Sequence, residues 1–80
     1  MLELTRKNFR TEAEHAEKPV LIDFYAARCA PCRAFAPVLE QLAEEFGEQC
    51  KFCKVDVERE EGLASQFDLM SVPTLVLLQD

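Results

Sequence analysis

The stretch Val20-Leu21-Ile22-Asp23-Phe24-Tyr25-Ala26-Ala27-Arg28-Cys29-Ala30-Pro31-Cys32 decides how this chain reads. Val20 to Ala27 is short, rich in β-branched and aromatic residues, and apolar at successive rather than alternate positions. That is the pattern of a central strand covered on both faces. Two cysteines three apart follow at once, and beyond them Phe35, Val38, Leu39, Leu42 and Phe46 recur at helical spacing until Gly47. A strand therefore runs into the amino end of an amphipathic helix, with a Cys-x-x-Cys at the junction.

Outward from this unit the pattern continues in short elements. Before it, Leu2 and Leu4 give a brief apolar lead, and Lys7 to Lys18, rich in Glu and Ala and closed by Pro19, predicts a solvated helix. His15, among Glu14, Ala16 and Glu17, reads as a solvent-facing residue of that helix. After it, Lys51 to Val57 alternates as a strand does, with Cys53, Val55 and Val57 on one face and Phe52, Lys54 and Asp56 on the other. Glu60 to Asp68 predicts a short helix with Leu63, Ala64 and Phe67 inward, followed by Ser71-Val72-Pro73-Thr74 and an apolar strand from Thr74 to Leu78. The order βαβαβαβ predicts an α/β fold: one domain over residues 1–80, a partly parallel sheet, and chemistry near the carboxyl ends of the central strands.

Composition narrows the function classes. Nine Lys plus Arg against 15 Asp plus Glu leave a net charge of −6, which disfavours nucleic-acid binding through a basic face. With 49% hydrophobic residues the chain has enough apolar surface to offset the entropy of folding. The amino end lacks the basic-then-apolar order of a secretory signal. The longest uncharged stretch, Leu69 to Gln79, is shorter than the roughly 18 apolar residues of a membrane span. A cytoplasmic location without membrane partners is the expectation, and there four cysteines point to redox catalysis or metal binding rather than a disulfide framework.

A Cys-x-x-Cys at a helix start has a physical logic. Unpaired amides and the positive end of the helix dipole stabilise a thiolate. Cys29 is then the exposed nucleophile, and Cys32, one turn on, is placed to attack a mixed disulfide on Cys29 and release a reduced partner. Pro31 stiffens the first turn, where its missing donor costs nothing, and Arg28 adds a cation beside the nucleophile.

The chain resembles the thioredoxin family through Val20 to Ala26, Cys29-Ala30-Pro31-Cys32, Ala36-Pro37, Lys54-Val55-Asp56 and Val72-Pro73-Thr74, in family order across essentially all 80 residues. The resemblance implies a thioredoxin-like three-layer sandwich on a mixed sheet, and protein-disulfide reductase activity. It also implies a cis Pro73 facing the cysteines, with Arg28, Ala30, Pro31, Val72 and Pro73 as the substrate-binding surface. No cofactor is implied beyond the redox-active Cys29-Cys32 disulfide, and the implied partners are disulfide-containing proteins and a thioredoxin-reductase-like reductant.

Asp23 stands in the most apolar strand, where burial should raise its pKa. The resemblance implies that it helps deprotonate the resolving thiol through water, with Lys54 tuning it. A satisfied buried ion pair without catalytic duty is the alternative. Two departures from the family pattern fall at the site: Arg28 replaces the usual tryptophan, and Ala30 the usual glycine. Loss of the aromatic weakens apolar contact with partners, while the guanidinium favours a thiolate and acidic surfaces.

Two rival readings remain. Cys29, Cys32, Cys50 and Cys53 fit a Cys-x-x-Cys, 17 residues, Cys-x-x-Cys zinc spacing. Against it, Cys50 and Cys53 lie three apart at the mouth of a strand, where odd spacing sends side chains to opposite faces. A thioredoxin-like adaptor with little turnover is the other. In the family a further strand and helix follow the position of Leu78, so these 80 residues are expected to lack both, and the Thr74 to Leu78 edge is expected to pair with a second copy.

Overall fold

Strand β2, Val20–Tyr25, lies inside a four-stranded sheet of order β1-β3-β2-β4 in the computed structural model, which describes residues 1–79. β1 is Leu2–Glu3, β3 is Lys51–Asp56 and β4 is Thr74–Leu78. β3 pairs parallel with both β1 and β2, and β4 pairs antiparallel with β2. The mixed sheet of the thioredoxin-like α/β fold is thus present.

The continuous apolar run of β2 serves two different faces, because successive side chains alternate across a sheet. Val20, Ile22 and Phe24 enter a core with Leu4, Phe9, Ala13, Cys53, Val55 and Leu63, all buried. Phe67 closes this core, its ring centroid 5.2 Å from that of Phe24 and 6.0 Å from that of Phe9. Helix α2, Glu61–Gln66, supplies Leu63, and a helical segment at Arg10–Glu14 supplies Ala13. On the opposite face lie Asp23 and Tyr25, which share a cavity with Cys32 and Ala36 of helix α1, Ala30–Phe46. The sheet is therefore covered on both sides, as a three-layer sandwich requires.

Two expectations are corrected. The helix expected over Lys7 to Lys18 is confined to Arg10–Glu14, where the His15 amide donates to the Arg10 carbonyl at 2.9 Å, five residues back. It is not simply solvated: Phe9 and Ala13 are buried in the core, so packing rather than helix propensity sets its extent. Along α1, Val38 and Phe46 were expected inward but are half-exposed. The helix buries Cys32 and Leu39, seven residues apart, a narrower stripe than its apolar residues offer.

The outer edge of β4 has no strand partner among the described residues, and Leu75 and Leu77, paired with Asp23 and Leu21, are half-exposed. Among the described residues, no helix is long and apolar enough to cross a membrane.

Candidate active site

The turn between β2 and α1 is built by local bonds. The Cys29 amide donates to the Ala26 carbonyl at 3.2 Å, and the Arg33 guanidinium reaches back to the Ala27 carbonyl at 2.9 Å. Cys29 is the N-cap of α1 in extended conformation, and its Sγ accepts the Cys32 amide at 3.1 Å. A sulfur at this cap meets one of the unsatisfied amides of the first turn. No acidic residue in that turn competes for the positive end of the helix dipole. Cys29 and Cys32 are joined as a disulfide with Cα atoms 5.2 Å apart.

A second segment approaches from the start of β4. The Val72 carbonyl lies 3.9 Å from Cys29 Sγ, and the Val72-Pro73 bond is cis. In the disulfide that sulfur carries no proton, so the approach is a contact; the reduced thiol has a hydrogen to donate there. Arg28, Ala30 and Pro31 are exposed around the cysteines, while Val72 and Pro73 are partly buried. Arg28 makes no ion pair among the described residues.

Behind Cys32 is a cavity of about 250 Å³ lined by Asp23, Lys54, Tyr25 and Cys32 together with Arg33 and the alanines of the turn. Its volume exceeds the roughly 30 Å³ share of a liquid water several times, so it has room for water beside Asp23 and Cys32. Asp23 is 6% exposed, and its Oδ1 has no hydrogen-bond partner among the described residues. Burial pushes its pKa up, the Lys54 charge opposes that and Glu3 adds to it.

Lys54 is paired in register with Asp23, yet its ammonium lies 3.9 Å from Glu3 Oε1 and 5.8 Å from the centre of the Tyr25 ring. The Tyr25 hydroxyl donates to the Glu3 carboxylate, 2.9 and 3.0 Å from its two oxygens. Burial and that acceptor push the Tyr25 pKa up. Glu3 and Tyr25 thus join the group that the sequence reading confined to Asp23 and Lys54. The available signal was a carboxylate inside the first short strand, opposite a lysine.

Cys50 and Cys53 stay apart from this group. Cys53 is buried in the core on the other face, where desolvation pushes its thiol pKa up, and Cys50 is a partly buried free thiol. No three His, Cys, Asp or Glu side chains among the described residues gather as a metal site needs, so the four-cysteine zinc arrangement does not form. A larger cavity of about 1000 Å³ lies between Thr5, Arg10 and the start of α2, lined by charged side chains and by none of the cysteines.

Comparison with known proteins agrees with this geometry. The thioredoxin family model matches residues 1–80. The chain belongs to the thioredoxin family. It is 43% identical over 76 residues to thioredoxin C-2 of Corynebacterium nephridii, covering 95% of this chain and 70% of that one. It is 46% identical over 76 residues to a thioredoxin of Alicyclobacillus acidocaldarius, covering 95% and 71%. A bifunctional thioredoxin reductase/thioredoxin of Mycobacterium leprae is 40% identical over 78 residues, 98% of this chain and 17% of that protein. As a thioredoxin-family thiol-disulfide oxidoreductase, the chain reduces disulfides by dithiol-disulfide exchange at Cys29 and Cys32. The redox-active group is the cysteine pair itself.

Proposed function

We propose that this chain reduces protein disulfides by attack of the Cys29 thiolate on a substrate sulfur. The substrate S–S bond breaks, its electron pair leaves on the second substrate sulfur, and Cys29 is left in a mixed disulfide. Asp23 then takes the Cys32 proton through cavity water, and the Cys32 thiolate attacks Cys29 Sγ. The bond between Cys29 and the first substrate sulfur breaks, that sulfur leaves as a thiolate that takes up a proton, and the Cys29-Cys32 disulfide closes. Lys54 tunes Asp23, and Arg28, Ala30, Pro31, Val72 and Pro73 form the surface that receives the substrate.

The observation that carries this reading is the Cys29 sulfur seated at the N-cap of α1 with the Cys32 amide donating to it. The exposed Arg28, in place of an aromatic anchor, favours substrates with acidic groups beside the disulfide. A thioredoxin-reductase-like protein in the cytoplasm is the proposed electron donor, a pairing supported by the relative in which reductase and thioredoxin share one chain.

Cys32→Ser should trap a mixed disulfide between Cys29 and a substrate protein, seen by mass mapping, because the resolving thiol is gone. Asp23→Asn should slow release from the mixed disulfide by about 10- to 100-fold while leaving the initial attack nearly unchanged. No adduct in the first variant, or normal release in the second, removes the corresponding role.

A further inference from the structure

Four side chains stand in one row on the α1 face of the sheet. Leu75 on β4 pairs with Asp23 on β2, Asp23 with Lys54 on β3, and Lys54 with Glu3 on β1. Lys54 therefore has a carboxylate on each side, and its one ammonium lies toward only one of them. It lies 3.9 Å from Glu3 and forms no ion pair with Asp23, whose Oδ1 is unpartnered among the described residues. What biases the choice is Tyr25, two residues after Asp23 on the same face. Its hydroxyl holds the Glu3 carboxylate at 2.9 and 3.0 Å, and its ring lies beneath the ammonium.

We infer that Glu3, fixed by the Tyr25 hydroxyl, is a positioning residue of the reductase that draws the Lys54 ammonium to the β1 side and leaves the Asp23 carboxyl unpaired to exchange a proton with Cys32. The inference rests on Asp23 being the proton acceptor of the resolving step. A carboxylate tied to an ammonium is a weaker base than an unpaired one. Glu3 therefore acts through Lys54, over and above the direct repulsion of its charge, which also raises the Asp23 pKa. The other titratable or charged groups toward Asp23 are Tyr25 on its own strand and Cys32 and Arg33 of α1 at the shared cavity; Leu75 on β4 carries no charge.

The test follows the Asp23 carboxyl by carbon-13 NMR titration in the reduced chain, beside the pH profile of mixed-disulfide release. Five proteins are compared: the unaltered chain, Glu3→Gln, Lys54→Met, the double variant of these two, and Tyr25→Phe. Glutamine keeps an acceptor for the Tyr25 hydroxyl and removes the charge. Glu3→Gln should lower the Asp23 midpoint by about one pH unit, with the acid limb of the release profile moving equally. In the Lys54→Met background the same substitution should move it less than half as far. Tyr25→Phe should move it in the same direction by a smaller amount. Equal shifts in both backgrounds would mean that Glu3 acts by its own charge alone, and would overturn the inference, as would no shift at all. If release follows Asp23 in the unaltered chain but Glu3→Gln leaves the midpoint in place, only the Glu3 role fails. If the midpoint moves and release does not, the Asp23 role fails, and the catalytic consequence of Glu3 with it.

Discussion

The chain contains the same Cys-x-x-Cys spacing twice, and the two copies have opposite fates. Cys29 and Cys32 span a helix start, where one turn brings the sulfurs together and an amide points at the first of them. Cys50 and Cys53 span a strand start, where Cys50 remains partly exposed and Cys53 is fully buried. Spacing alone does not make a redox pair; the element beneath it does. The contrast extends along β3, whose successive residues serve different faces: Cys53 packs in the core and Lys54 lines the cavity behind Cys32.

The largest expected difference between the pairs is in thiol reactivity. In the reduced protein at neutral pH, Cys29 should alkylate at least about a thousandfold faster than Cys53, whose exposure requires opening of the core. Timed labelling with mass mapping measures both rates. Labelling of Cys53 on the timescale of Cys29 would erase the distinction between the faces.

Stability should then separate them by sign. Cys53→Ser places a hydroxyl in the core and should destabilise the fold by roughly 1–3 kcal/mol in urea unfolding. Asp23→Asn should do the reverse at neutral pH, stabilising by roughly 1–2 kcal/mol, because it removes a buried charge. The pH dependence fixes the sign. The folded state raises the Asp23 pKa above its ordinary 3.8, so it binds that proton more tightly than the unfolded chain does. The contribution of Asp23 is fully present below pH 3.8 and is lost as pH rises through the folded pKa. The advantage of Asp23→Asn should therefore be absent in acid and complete only above that range. An advantage independent of pH would assign the gain to packing instead.

The smallest effect belongs to Cys50. Cys50→Ser should change stability by less than about 0.5 kcal/mol and leave insulin-type disulfide reduction within about twofold. A larger loss of turnover would bring the second pair into the chemistry.

Much of this was legible in the sequence because local patterns carry it. The apolar run at Val20 to Tyr25, the helical spacing after Cys32 and the alternation at Lys51 to Asp56 fix the elements, through the periods at which helices and strands repeat their faces. A cysteine at a helix start and an aspartate in an apolar strand are equally local signals. The arrangement of Glu3, Tyr25 and Lys54 was not legible, since it depends on β1 pairing in parallel with β3 more than 50 residues away in sequence. Nor was the reach of the first helical segment, which the burial of Phe9 and Ala13 determines, nor the half-exposure of Val38 and Phe46. Sequence period says which residues share a face. Only the packed sheet decides which neighbour meets that face, because the contacts that fix it join residues that no local pattern connects.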